Sequence, residues 1–108
     1  MGNAALDDPK LKRFRAALDA AYGARLERAV LYGSRARGDA GSESDYDIAV
    51  FLRDMPDRAV ELNRLADLGT DILYDTGELV HAMPYLAGAY EDSRMPLMHE
   101  IRREGLDL

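Results

Sequence analysis

Cysteine and tryptophan are both absent from the 108-residue sequence. The lack of cysteine excludes a disulfide framework, a zinc–thiolate site and a cysteine nucleophile. No run of residues approaches the ~20 consecutive apolar positions that a helix needs to cross a bilayer. The N-terminal segment also lacks the uninterrupted apolar core of a signal peptide. These absences predict a cytoplasmic protein that has no membrane partner.

An excess of basic residues is also lacking, since 14 basic residues stand against 20 acidic ones and give a formal net charge of −6. Sequence-blind binding to nucleic acid depends on neutralising phosphates, so this charge argues against a direct nucleic-acid partner. The hydrophobic fraction of 47% is ordinary for a globular protein. The length suits one small domain, and we expect residues 1–108 to form it.

Hydrophobic periodicity predicts an alternation of helices and strands. The expected helices are 10–22, 57–75 and 94–104, and the expected strands are 26–32, 45–52 and 78–83. Residues 33–44 are rich in glycine and serine and predict a loop with up to one helical turn. Pro84 is expected to end the third strand, and Ser93 to cap the last helix. This order predicts an α/β fold with helices packed on a small sheet.

Asp45 and Asp47 stand at the start of the second predicted strand. Side chains alternate along a strand, so these two carboxylates share one face. At a separation of about 4 Å they repel by about 1 kcal/mol in water and about 4 kcal/mol at a surface-like dielectric. A cation removes that repulsion, and oxygen ligands suit Mg²⁺ or Mn²⁺. Taken alone, two solvated acids are an equal alternative, but the apolar strand behind them favours metal ligation.

Gly33 and Ser34 follow the first predicted strand. Glycine permits a tight turn and close approach to a ligand, and the Ser34 hydroxyl with successive backbone N–H groups suits phosphate oxygens. An ordinary turn with Ser34 as the N-cap residue is the alternative. Arg35 and Arg37 either contact phosphates or balance nearby acids, and we favour phosphate contact for Arg35. The sequence contains neither the P-loop nor the dinucleotide-binding motif.

The segment VLYGSRARGDAGSESDYDIAVFL (residues 30–52) combines Gly-Ser, ten intervening residues and Asp-x-Asp. It resembles the signature of the minimal nucleotidyltransferases of the DNA polymerase β superfamily. The resemblance implies the polymerase β-like nucleotidyltransferase fold, a small mixed sheet of three to four strands flanked by helices. It also implies that Asp45 and Asp47 hold one or two Mg²⁺ ions, while Gly33 and Ser34 grip the phosphates of ATP.

The resemblance further implies a third carboxylate, usually an aspartate, from a neighbouring strand. The matching strand here is 78–83, where Glu78 is the first candidate for this catalytic and metal-binding position and Asp75 the second. Glutamate is one methylene longer, so Glu78 departs from the family pattern. His81 on the same strand could approach the site from the sheet face, but it is expected to be a hydrogen-bonded structural residue.

Among such proteins, the resemblance implies the antitoxin of a HEPN–MNT toxin–antitoxin pair, which transfers AMP from ATP to a tyrosine of the HEPN toxin. A chain of this length has no added acceptor domain, so the acceptor comes from a partner or from a second copy, in a homo- or hetero-oligomer. Two alternatives stay open. The chain could neutralise its partner by binding alone, with a degenerate nucleotide site, or it could adenylylate a small molecule.

Overall fold

The structure, a computed structural model, describes residues 7–38 and 45–108. Two short 3-10 helices accompany the main elements, at Gly23–Arg25 and Ala87–Glu91. The main helices are α1 (Pro9–Tyr22), α2 (Ser34–Arg37), α3 (Arg58–Thr76) and α4 (Pro96–Glu104), and the strands are β1 (Leu26–Tyr32), β2 (Tyr46–Leu52), β3 (Val80–Leu86) and β4 (Leu106–Asp107). The expected helical turn after β1 is confirmed as α2, while the remainder of that loop, residues 39–44, lies outside the described residues.

The four strands form one sheet in the order β3-β2-β1-β4. β1 pairs antiparallel with β2 and with β4, whereas β2 and β3 are parallel. The expectation of a small mixed sheet flanked by helices is therefore confirmed. The four strands agree with the expected three to four, but the position of β4 was not predicted, because its two residues are too few to show strand periodicity.

The two faces of the sheet carry different cores. On one face, Tyr46 and Ile48 of β2 pack with apolar residues of α1 and α3. On the other face, Ala49 and Phe51 pack with apolar residues of α4. Because side chains alternate along a strand, Asp47 belongs to the α4 face and Tyr46 to the face of α1 and α3. None of the helices in the two described ranges is long and apolar enough to cross a membrane.

Helix boundaries follow local capping chemistry. Asp8 caps α1 by accepting a hydrogen bond from the Lys10 N–H at 2.9 Å, and Pro9 occupies the first helical position, where its missing N–H costs nothing. Asp57 caps α3 in the same way. These capping residues explain why both helices begin within one residue of the expected positions.

Three expectations about the C-terminal third are wrong. β3 continues through Pro84 to Leu86 because β3 is an edge strand, where a missing N–H is tolerated. β3 also begins at Val80, so Glu78 precedes the strand. α4 begins at Pro96, and Ser93 does not cap it, because the residue at the N-cap position is Met95.

Candidate active site

Gly33 and Asp47 are in contact where β1 ends and β2 begins. Tyr32, the last residue of β1, is the register partner of Asp47, so the following turn passes close to the Asp47 carboxylate. Gly33 has φ 75° and ψ −158°, and a Cβ atom at this position would lie 2.9 Å from Asp47 Oδ2. The left-handed backbone and the close carboxylate both require glycine. The Gly-Ser turn therefore lies directly against one of the two predicted metal ligands.

α2 is a single helical turn that starts at Ser34. The N–H groups of Ala36 and Arg37 both donate to the Gly33 carbonyl oxygen at 3.1 Å, and Gly38 closes the turn by donating to the Ser34 carbonyl oxygen at 3.0 Å. The N–H groups at the start of a helical turn point away from its carbonyls, which is the arrangement that binds phosphate oxygens.

Asp47 has a neighbour on each adjacent strand. The register pairs Asp47 with Tyr32 on β1 and with His81 on β3, and paired residues project from the same face. His81 Nδ1 lies 3.6 Å from Asp47 Oδ1, and the two side chains are 59% and 35% exposed. Burial raises the pKa of Tyr32 to about 12, and the nearby Tyr85 and Asp47 add to the shift. His81 is thus an exposed neighbour of the site.

Sequence reasoning did not single out Tyr32 and gave His81 a structural role. Strand alternation shows which residues share a face within one strand, but only the register between strands shows which residues flank Asp47. The alternation within 78–83 was the available signal for His81, and it was insufficient without that register.

Asp45 lies immediately before β2 and is exposed. Within the described part of the chain, no group of three or more histidine, aspartate or glutamate side chains is close enough to hold a metal ion. The structure thus joins Gly33 and Asp47, with Asp45 two positions earlier, and no carboxylate of residues 7–38 or 45–108 completes a group of three with these two aspartates.

Glu78 lies elsewhere, near the start of α1. Glu78 Oε2 is 3.4 Å from Arg35 Nη2, and Oε1 is 3.8 Å from Lys10 Nζ. The second candidate, Asp75, pairs with Arg13 of α1. The third-carboxylate role of Glu78 therefore stays a prediction that this geometry does not support, because Glu78 precedes β3 and its carboxylate faces two cations instead of Asp47.

Arg35 turns towards Tyr46, on the face opposite to Asp47. Its guanidinium lies 4.3 Å from the centroid of the Tyr46 ring, and Nη1 lies 3.4 Å from the Tyr46 hydroxyl. Arg37 pairs with Glu104 at 3.0 Å. The predicted contact between Arg35 and phosphate therefore stays a prediction, and the described partners of Arg35 are protein groups.

Comparison with known proteins places these features in a family. The family model for the nucleotidyltransferase domain matches residues 11–95. A protein of Methanocaldococcus jannaschii named "Putative protein adenylyltransferase MJ0604" is 32% identical over 77 residues, which are 71% of this chain and 71% of that protein. A second protein of that organism, with the same name but numbered MJ0141, is 37% identical over 46 residues, or 43% of this chain and 46% of that protein.

Solved structures show the same fold. A toxin–antitoxin crystal structure with AMP-PNP matches with a TM-score of 0.60 at 20% identity, over 87% of this chain and 68% of that one. A mutant of the MntA–HpeT toxin–antitoxin matches with a TM-score of 0.60 at 21% identity, over 90% and 70%. The family match, the Gly-Ser turn against Asp47 and the mixed sheet agree: this chain belongs to the nucleotidyltransferase domain family and is a nucleotidyltransferase with the polymerase β-like fold.

Proposed function

We propose that this protein is a Mg²⁺-dependent protein adenylyltransferase that acts as an antitoxin in the cytoplasm, transferring AMP from ATP to a hydroxyl of a HEPN-type toxin. The contact between Gly33 and Asp47 carries the proposal, because it joins a phosphate-binding turn to a metal-binding carboxylate. The similarity to proteins named as adenylyltransferases supports the reaction. The similarity to toxin–antitoxin structures supports the kind of partner.

The residues present fit a magnesium ion. Mg²⁺ is usually held by one or two carboxylates and completes its coordination with water and substrate phosphates. Asp47 offers a partly exposed carboxylate beside a turn with no side chain in the way, and Asp45 adds a second carboxylate from just outside the strand. We assign both as ligands of one or two Mg²⁺ ions. When bound, the metal neutralises charge on the triphosphate and on the departing pyrophosphate.

The two sides of Asp47 suit different substrates. On the β1 side, Gly33 and Ser34 present the start of a helical turn, and we assign them to the β- and γ-phosphates of ATP. On the β3 side, His81 is exposed on an edge strand, and we assign this side to the acceptor. The acceptor oxygen forms a bond to the α-phosphorus and releases its hydroxyl proton to solvent, the bond from that phosphorus to the bridging oxygen breaks, and pyrophosphate leaves with its electron pair.

Labelling of the partner tests this proposal. The purified chain is mixed with α-labelled ATP, Mg²⁺ and the protein encoded by the neighbouring gene, and we expect label on that protein. The double variant Asp45→Asn, Asp47→Asn should transfer none. Asp67→Asn with Asp71→Asn is the matched control, because it removes the same charge from two exposed positions of α3. A double variant of Asp45 and Asp47 that still neutralises the partner would favour the alternative of a non-catalytic binding antitoxin.

Adenylylation of a small molecule is the other alternative from the sequence. It predicts that label appears on a low-molecular-weight hydroxyl compound and that the partner protein stays unlabelled. With a pool of small hydroxyl compounds added to the reaction, either result is visible in the same experiment, since protein and small-molecule products separate on precipitation.

A further inference from the structure

Tyr46 forms the centre of a cluster on the sheet face opposite to Asp47. The Tyr46 side chain is buried, and its hydroxyl donates to Asp8 Oδ2 at 2.5 Å. The Arg35 guanidinium lies over the ring at 4.3 Å from the centroid, and Lys10 Nζ lies 5.7 Å from the same centroid. We call the following five residues the proximal cluster: Asp8, Lys10, Arg35, Tyr46 and Glu78.

The proximal cluster ties together segments that are distant in sequence. Glu78, from the link between α3 and β3, faces Arg35 of α2 at 3.4 Å and Lys10 of α1 at 3.8 Å. Asp8 faces Lys10 Nζ at 3.1 Å as well as the Tyr46 hydroxyl. Arg35 is 19% exposed and Glu78 32%, so water screens these pairs only in part.

This cluster has a direct geometric relation to the Gly-Ser turn. Arg35 is the second residue of α2, and a helix of one turn has too few hydrogen bonds to hold its own position. Tyr46 directly precedes Asp47 in β2, so the ring that holds Arg35 and the carboxylate that touches Gly33 are fixed to the same strand. Arg35 contacts Tyr46, and Gly33, two positions before Arg35, lies against Asp47, so two nearby residues of the turn are held against two neighbouring residues of β2.

We propose that Tyr46 and Glu78 are positioning residues: they hold Arg35, and through it the Gly33–Ser34 turn, at the distance from Asp47 that binding of a triphosphate requires. The inference rests on the proposed function and deepens it. It gives Glu78 the role of an anchor for Arg35 in place of a metal ligand. In this proposal Arg35 acts by holding the Gly33–Ser34 turn in position.

Binding of AMP-PNP in the presence of Mg²⁺, measured by calorimetry, tests the inference on the full chain. Tyr46→Phe, Glu78→Gln and Arg35→Gln should each weaken AMP-PNP binding by about two- to fivefold, the range expected when a partly exposed hydrogen-bonded or charged contact is lost. The double variant of Arg35 and Glu78 should lose no more than either single variant, because both changes release the same contact. The Mg²⁺ concentration for half-maximal binding, taken at saturating AMP-PNP, should stay unchanged in Glu78→Gln.

Glu27→Gln is the matched control for this experiment. It also removes the acid of an arginine–glutamate pair, since Glu27 Oε2 lies 2.7 Å from Arg53 Nε, but this pair lies at the other end of β1. We expect its AMP-PNP affinity to equal that of the wild type. Melting curves of all variants separate loss of folding from loss of positioning, and Glu78→Gln, at a part-exposed position outside the strands, should melt like the wild type.

Three results overturn the inference while leaving the proposed function intact. Additive losses in the double variant would show that Arg35 and Glu78 act separately. A tenfold rise in the Mg²⁺ requirement of Glu78→Gln would make Glu78 a metal ligand. Weaker binding in Arg35→Gln alone, with Glu78→Gln unaffected, would make Arg35 a direct phosphate contact. A wild-type chain that binds no AMP-PNP contradicts the proposed function itself, and the inference fails with it.

Discussion

The two ends of the sheet carry clusters of similar composition. The proximal cluster lies where β1 ends and β2 begins. A second group, here called the distal cluster, lies where β1 begins and β2 ends, and it consists of Tyr22, Arg25, Asp54, Glu61 and Arg64. In the distal cluster Arg25 bridges two acids, with Nε 2.6 Å from Asp54 Oδ1 and Nη2 2.6 Å from Glu61 Oε2. Arg25 and Arg64 lie 5.5 and 5.4 Å from the centroid of the Tyr22 ring.

Each cluster therefore combines a buried tyrosine, an arginine over the tyrosine ring and acidic side chains around that arginine. α1 connects the two clusters, because its first turn contributes to the proximal cluster and Tyr22 at its end belongs to the distal cluster. The difference lies in what stands beside them. At the proximal end, the Gly33 turn lies against the Asp47 carboxylate. At the distal end, Arg25 connects the segment before β1 to Asp54 after β2 and to Glu61 in the first turn of α3. The same residue types thus stabilise the fold at one end and, in our account, also position a site at the other.

Hydrogen bonding of the two tyrosines also differs. The Tyr46 hydroxyl donates to Asp8. The Tyr22 hydroxyl and Glu61 Oε1 are buried without a hydrogen-bond partner among the described residues. The distal cluster is therefore the less completely satisfied of the two, and the clusters should respond differently to matched substitutions.

Asp47→Asn should have the largest effect on activity of the single substitutions considered. Loss of a metal-binding carboxylate removes several kcal/mol of charge stabilisation, so the initial rate of labelling of the partner should fall by about a hundredfold or more. The variant should remain folded, because Asp47 is part-exposed. Glu61→Gln, at the distal end, should leave the rate within about twofold. An equal fall in both variants would contradict the division between the two ends.

Gly69→Ala tests the packing behind the proximal end. A Cβ atom at Gly69 would lie 2.7 Å from the carbonyl oxygen of Val80, the first residue of β3. Overpacking of this kind costs about 3 kcal/mol, which exceeds the ~1 kcal/mol that alanine gains in helix propensity. Urea unfolding should therefore show a net loss of about 2 kcal/mol. Gly88→Ala, which meets no atom within 4 Å, is the control, and an equal loss there would exclude the packing explanation.

Tyr46→Phe and Tyr22→Phe form a matched pair between the clusters. Tyr46→Phe removes a hydrogen bond to a carboxylate and should cost about 1.5 kcal/mol of unfolding free energy at pH 7. Tyr22→Phe removes a buried hydroxyl that has no hydrogen-bond partner among the described residues, so stability should stay equal or rise by up to ~1 kcal/mol. Chemical denaturation of both variants gives the comparison. A larger loss of unfolding free energy in Tyr22→Phe than in Tyr46→Phe would contradict the conclusion that the proximal cluster is the better hydrogen-bonded one.

The pH dependence of stability tests the environment of the Tyr22 hydroxyl. Burial and the negative charge of Glu61 raise the pKa of Tyr22 from its ordinary value of 10.0 to about 12. A pKa raised in the folded state stabilises the fold fully below pH 10, and this contribution disappears as the pH rises through 12. Unfolding free energies of Tyr22→Phe should therefore fall less steeply than those of the wild type between pH 10 and 12. Parallel curves would show that Tyr22 does not contribute to the alkaline transition.

Local patterns in the sequence predicted the elements that local interactions determine. α1 shows its apolar stripe at helical spacing, and the residues of that stripe, Leu11, Phe14, Leu18 and Tyr22, are buried. The apolar stripe follows from spacing along a single segment. The resemblance of the Gly-Ser and Asp-x-Asp pattern to a family signature added the expectation that the turn after β1 and the start of β2 share one site.

Relations between strands could not be predicted in this way. The positions of His81 and Tyr32 beside Asp47 depend on the registers of β2 with its two neighbours, which no single segment encodes. Glu78 illustrates the consequence, because β3 begins at Val80, two residues later than expected, and the Glu78 carboxylate lies beside Arg35 and Lys10. The expectation that Pro84 ends the third strand was wrong for a related reason. A proline ends an interior strand but is tolerated on an edge strand, and the position of a strand in the sheet depends on its neighbours.

The closeness of Gly33 to Asp47 is tested most directly by AMP-PNP binding to Gly33→Ala compared with Gly23→Ala. Both glycines have positive φ, 75° and 53°, so both substitutions strain the backbone, but only a Cβ atom at Gly33 meets the Asp47 carboxylate. We predict that both variants lose about 1–2 kcal/mol of stability and that only Gly33→Ala loses Mg²⁺-dependent binding of AMP-PNP, by at least tenfold. Wild-type affinity in Gly33→Ala, or the same loss of affinity in Gly23→Ala, would contradict the account.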